Sequence, residues 1–231
     1  MKFLLFDIDG TLIDSGGAGS RSLNRAFEQM FGIPEAFRDI SMAGKTDTQI
    51  LREGMLLHNI PFSEEAATVF FERYIRFLGV EMRTTRGEVK QGICEALEAI
   101  RLEELHVLGL LTGNIRDGAN IKLKNFGLDC FFEVGAFGND SEDRNQLLPV
   151  AVDKLYRTRS LLVDYRDCVV IGDTPRDVDC AKAYGALSIA VATGPYTAES
   201  LEKAGADIVF EDLSDTERFL SSLTTPAAVQ E

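Results

Sequence analysis

The sequence is poor in positive charge. Its 24 Lys and Arg residues stand against 37 Asp and Glu, a net charge of −13. Nucleic acids and anionic membranes are held by clustered cations, so neither is an expected partner. Histidine is scarce: His58 and His106 stand alone. The four cysteines, Cys94, Cys130, Cys168 and Cys180, are far apart with no close pair. A zinc centre is excluded by that spacing. The cysteines read instead as small reduced core residues of a cytoplasmic protein. No apolar run approaches the length of a membrane span, and the stretch before Asp7 is too brief for the apolar region of a signal peptide. Oligomeric state stays open between monomer and homodimer.

What is present is enough apolar sequence, 45% of 231 residues, for one large domain or a domain with an insert. The chain is organised around its first strand, Phe3-Leu4-Leu5-Phe6, which runs into Asp7-Ile8-Asp9-Gly10-Thr11. Residues two apart in a strand share a face, so Asp7 and Asp9 are expected side by side where the strand ends. Adjacent carboxylates repel unless a cation or a shared proton compensates, and an oxygen-preferring ion such as Mg2+ is the simplest compensator.

Past a glycine-rich loop at residues 13–19 the pattern turns helical. Leu23, Ala26, Phe27, Met30 and Phe31 form one stripe. A second helix is expected from Asp47 to His58. A third is expected after the N-cap Ser63, with Gly79 closing it. No strand is evident between Gly16 and Thr84. From residue 86 onward helices alternate with strands buried on both faces. Val89, Ile93, Leu97 and Ile100 mark a helix. Strands follow at 107–111, 131–137, 168–172, 187–191 and 207–210, and the tail from Thr224 is expected to fray. The alternation predicts an α/β fold, a doubly wound parallel Rossmann-like sheet, with an inserted all-helical domain. The expected division is a core of residues 1–14 and 86–231 and an insert of residues 15–85. Ligands of such sheets gather at the carboxyl ends of the strands, where Asp7, Asp9, Thr112 and Asp173 all fall.

Asp7-x-Asp9-Gly10-Thr11, Leu111-Thr112-Gly113-Asn114 and Gly172-Asp173-Thr174-Pro175-Arg176-Asp177 resemble, in order and type, the first, second and fourth motifs of the haloacid dehalogenase-like hydrolases. The family's third motif is a basic residue, usually Lys, between the second and fourth. Here the candidate is Arg144; Lys122, Lys124 and Lys154 are alternatives, the first two with a solvent-facing look. The resemblance implies a Mg2+-dependent phosphatase acting on a small phosphorylated metabolite. Asp7 would be the nucleophile and Asp9 the acid and base. Asp7, the backbone carbonyl of Asp9 and Asp173 would hold the metal, supported by Asp177. Thr112, Gly113, Asn114 and Arg144 would hold the phosphate. Residues 15–85 would be a cap, whose loop Gly44-Lys45-Thr46-Asp47 is similar to the substrate-contacting loop of phosphoglycolate-phosphatase-like members, with Lys45 offering a cation to an acidic leaving group. Each residue also has a plainer reading: Thr112 as a helix cap, Asp177 as a first-turn carboxylate, Arg144 and Lys45 as solvated charges. A sugar phosphomutase, or a non-catalytic protein on the same fold, is the alternative function.

Overall fold

A computed structural model describes residues 1–224. Its centre is a six-stranded sheet in which every neighbouring pair is parallel. In chain order its strands are β1 (Phe3–Phe6), β4 (Val107–Leu111), β5 (Val134–Ala136), β6 (Cys168–Gly172), β7 (Leu187–Val191) and β8 (Ile208–Phe210). Across the sheet they run β5-β4-β1-β6-β7-β8. β1 is flanked on both sides, Phe3 standing opposite Val107 of β4 and Cys168 of β6.

The alternation of side chains along the strands feeds two separate cores. Leu4, Phe6, Leu110, Val169 and Ile171 point to one face, under helices α4 (Ile93–Glu103), α5 (Arg116–Asn125) and α9 (Thr216–Thr224). Phe3, Leu5, Leu111, Cys168 and Val170 point to the other, under α6 (Leu147–Arg159) and α7 (Pro175–Lys182). β1 has no exposed residue, which explains its unbroken apolar run. The short α8 (Ala198–Lys203) precedes the edge strand β8.

Between β1 and β4 lies the helical insert: α1 (Ala18–Phe31), α2 (Asp47–Leu57) and α3 (Glu64–Thr84). It has an apolar cluster of its own, rich in aromatics, with Phe27, Phe37 and Phe70 packed edge to face, Tyr74 edge-on to Phe71, and Ile115 of the core side joining it. Ser63 caps α3 as the sequence suggests, its hydroxyl accepting from the Ala66 amide.

Several expectations are corrected. Gly79 does not close α3, which runs on to Thr84; a Cβ there would meet nothing, so the glycine costs propensity without imposing a turn. Val89 is not helical, and the loop at residues 13–19 is not structureless. Ile13–Asp14 (β2) pairs antiparallel with Glu88–Val89 (β3), a stem joining the points where the chain enters and leaves the insert. Two-residue strands carry no readable periodicity. The expected strand at 131–137 shrinks to Val134–Ala136 behind a 3-10 turn at Asp129–Phe131. Cys94 and Cys130 are exposed rather than core residues, while Cys168 and Cys180 are buried. The tail beyond Thr224 lies outside the described residues. Among those described, no helix is long and apolar enough to cross a membrane.

Candidate active site

The central strands deliver their terminal residues to one crevice. Asp7 follows β1, Thr112 follows β4 and Asp173 follows β6. Asp7 still belongs to the ladder, its amide donating to the Ile171 carbonyl at 2.9 Å. Beyond it the chain turns through Gly10, at φ 84°. A side chain at Gly10 or Gly194 would collide with the Asp173 carboxylate, so these two glycines let the backbone close around it. Thr11 Oγ1 donates to Asp173 Oδ1 at 3.0 Å.

Asp7, Asp173 and Asp177 are all buried, and each has a carboxylate oxygen within 4.8 Å of the others. Asp177 sits on the first turn of α7. Its Oδ2 accepts from the Thr174 amide at 3.0 Å and the Thr174 hydroxyl at 2.8 Å, so it does cap the helix. Its Oδ1 takes the Arg144 guanidinium at 2.5 Å, and the same nitrogen lies 2.9 Å from Asp7 Oδ2. Arg144, from the turn before α6, is 4% exposed and is no solvated charge. It also donates to the Gly44 carbonyl of the insert, at 3.2 Å.

One guanidinium faces three carboxylates, and the electrostatics register the shortfall. Burial pushes Asp7 up to about 6, against the attraction of Arg144 and with a further push from Asp177. Burial and the charges of Asp177 and Asp7 drive Asp173 well above the ordinary carboxylate range. Arg144, although burial opposes its charge, is held firmly protonated by Asp177 and Asp7. The donor set is all oxygen, buried, converging and short of one or two positive charges, which fits a hard divalent cation such as Mg2+.

Asp9 lines the same crevice as Asp7, but its carboxylate has a different set of partners. The strand has ended by then, so the two-residue alternation no longer applies, and its carboxylate turns toward the insert. Oδ2 accepts from Lys122 at 2.5 Å and Asn114 at 2.8 Å; Oδ1 accepts from Ser15 at 3.0 Å. Burial opposes its ionisation, but Lys122, Asn114 and Ser15 together hold Asp9 below the usual carboxylate range. Lys122 is therefore not solvent-facing. It is 3% exposed and also donates to Asn114 Oδ1 at 2.6 Å. Its place was legible: on α5 it lies three residues past Ala119 and four before Phe126, within the inward stripe. Asn114 donates to Thr112 Oγ1 at 2.9 Å and so links the second motif to Asp9.

The insert closes over this crevice, leaving a cavity of about 280 Å3 lined from both sides. Its loop lies so near Gly113 that a Cβ there would strike the Lys45 carbonyl. Lys45 lines the cavity, but its ammonium is bound to Glu53 at 2.5 Å. Two further residues line the cavity. Asp47, the last residue of that loop motif, is 6% exposed and accepts from the Ile115 amide at 2.8 Å, and Tyr74 has a buried hydroxyl with no hydrogen-bond partner. The sequence assigns Asp47 no role of its own, and Tyr74 falls on a helical stripe that reads simply as core.

Fold and crevice define a doubly wound α/β protein with a charge-deficient acidic centre at the carboxyl edge of its middle strands. The family described as haloacid dehalogenase-like hydrolase matches residues 4–191, and the chain belongs to that family. Among its relatives, a phosphoglycolate phosphatase of Caulobacter vibrioides is 25% identical, over 96% of this chain and 92% of its own. Pyrophosphatase PpaX of Listeria innocua is 26% identical, over 92% and 93%. A hydrolase from Pseudomonas syringae has a crystal structure that superposes with a TM-score of 0.75 at 24% identity, covering 97% of this chain and all of that one, and so shares the fold.

Proposed function

We propose that the protein is a Mg2+-dependent phosphatase that cleaves a small phosphomonoester through an aspartyl-phosphate on Asp7. The observation that carries this is the convergence of Asp7, Asp173 and Asp177 within 4.8 Å, with Arg144 on Asp7. Asp7 and Asp173, with the backbone carbonyl of Asp9, would hold the metal. When bound, Mg2+ supplies the positive charge that lets an anionic carboxylate approach an anionic phosphate.

The protein's own groups do the rest. Arg144 on Oδ2 and the Ile8 amide on Oδ1 fix the orientation of the Asp7 carboxylate, which lines the cavity. Thr112, the Gly113 amide and Asn114 border the phosphate position at the head of α5, where backbone amides favour an anion. Asp9 also lines the cavity and is the group that would act as acid and base; Lys122 holds it as the carboxylate, the form that takes a proton from water, and it would give a proton to the leaving alcohol only once it has taken one up. Residues 15–85 act as a cap on a core of residues 1–14 and 86–231. A cavity of about 280 Å3 between core and insert suits a small substrate, and relatives named for phosphoglycolate and pyrophosphate support that scale.

The test is a panel of small phosphate esters, hexose phosphates included, with and without Mg2+. Free phosphate that depends on Mg2+ is the expected product. Isomerised sugar would indicate a mutase, and no turnover of any ester would remove the catalytic reading.

A second outcome needs no turnover. Saturating Mg2+ at about 100 times its dissociation constant adds roughly 2.7 kcal/mol to the folded state, which for a chain of this size raises Tm by roughly 5–10 °C. The gain depends on pH. A carboxylate whose pKa is raised in the folded state costs stability while ionised, and that cost disappears as pH falls through its folded value. Asp7, at about 6, is ionised above that pH and competes for a proton below it. The Mg2+-induced shift is therefore larger at pH 7.5 than at pH 5, because Asp7 and Asp173 must both give up their protons to hold the metal. A shift that does not vary between pH 5 and pH 8 would contradict the assignment of these carboxylates to the metal.

A further inference from the structure

The cavity has two ends of different character. At the phosphate end lie Asp7, Arg144 and Asp173. The far end is formed by the insert, with Leu23, Met42, Ala43 and Ile50 as apolar walls. Three cations line the whole cavity, and each is already engaged within the protein: Arg144 by Asp7 and Asp177, Lys122 by Asp9, Lys45 by Glu53. Asp47, where the insert meets the head of α5, is a buried carboxylate that makes no ion pair among the described residues; its amide donates to the Gly113 carbonyl at 2.7 Å and its Oδ2 accepts from the Ile115 amide.

We propose that the leaving group this site accepts is an uncharged small alcohol, and that a substrate bearing a second anion beyond the phosphoryl group is discriminated against. The inference rests on the phosphatase reading above and names its substrate class. A second carboxylate or phosphate in this cavity would be desolvated in the company of Asp47 and, among the described residues, would find no lining cation free to meet it. The surroundings already disfavour negative charge, since burial pushes Asp47 up to about 6. A neutral hydroxyl meets no such cost, and the unpartnered Tyr74 hydroxyl gives it a neutral hydrogen-bonding group. In this the chain departs from the relatives named for phosphoglycolate and pyrophosphate, whose substrates carry a second anion.

The test compares two near-isosteric esters, 2-phosphoglycolate and 2-hydroxyethyl phosphate, by kcat/KM in the presence of Mg2+. The hydroxyethyl ester is expected to be favoured at least about tenfold, like charges at a closed site being strongly disfavoured. Glu53→Gln, which removes the counter-charge of Lys45, is expected to narrow that preference several-fold by freeing a cation for the carboxylate. Equal or better use of 2-phosphoglycolate by the unaltered protein would overturn the substrate class while leaving the phosphatase reading intact. A preference that Glu53→Gln leaves unchanged would overturn the account of its cause. Failure to turn over either ester, or any other in the panel, would sink both readings together.

Discussion

Asp7→Asn is expected to leave a folded protein whose phosphate release is at least about 10^4-fold slower, the scale on which loss of a covalent nucleophile is felt. Asn keeps the shape of the side chain and can still accept from the Ile8 amide, which bonds Asp7 Oδ1 at 2.7 Å. It cannot form the acyl phosphate and brings no negative charge to the metal. The substitution also removes one of three crowded carboxylates, so little stability should be lost. Two measurements check this: steady-state turnover, and acid-quenched labelling with a 32P-ester, which should mark the unaltered protein and not the variant. Turnover within about tenfold of the unaltered protein would show that the phosphoryl group is never carried by Asp7.

Arg144→Ala is expected to be the most destabilising single change in the site. It strands Asp7 and Asp177, two buried carboxylates that share this guanidinium at 2.9 and 2.5 Å. Breaking a buried pair by removing one partner costs about 3–5 kcal/mol, which in a protein of this length lowers Tm by roughly 6–20 °C. Much of that loss is the cost of unpaired charge, so it should be recoverable. Arg144→Ala combined with Asp177→Asn is expected to be more stable than Arg144→Ala alone, a non-additivity that a double-mutant cycle reads directly. Lowering the pH toward 5 should also narrow the deficit, because Asp7 takes up a proton near 6 and sheds its need for a partner. Arg144→Lys keeps a cation of the kind usual in the family. It lacks the fork that reaches two carboxylates and the Gly44 carbonyl together, and an intermediate loss is expected. Thermal unfolding of five proteins, the unaltered one, Arg144→Ala, Asp177→Asn, their combination and Arg144→Lys, decides the matter. A Tm for Arg144→Ala within about 2 °C of the unaltered protein would mean that Arg144 does not bear on these charges.

The sequence determined the framework. Strands of the parallel sheet are buried on both faces, so they appear as unbroken apolar runs, and β1, β4, β6 and β7 lie where those runs predict. Brief carboxylate and threonine motifs at their ends placed Asp7, Thr112 and Asp173 at one edge, because parallel strands all end on the same side. Arg144 was also legible, as the basic residue available between two motifs.

Tertiary structure decided the pairing of charges. Which cation meets which carboxylate depends on loop paths and helix rotations that no local pattern encodes. Asp9, just before the turn at Gly10, is met by Lys122 from a helix more than 100 residues away in the chain. Lys45 is drawn to Glu53, and Asp47 and Tyr74 are buried in the wall of the cavity, because α2 and α3 of the insert pack against the core there. A side chain's type and spacing fix what chemistry it is able to do. Only the packing of distant segments, which sets burial and the distance between charges, fixes which of these groups are held neutral, which are compensated and which are left free to act.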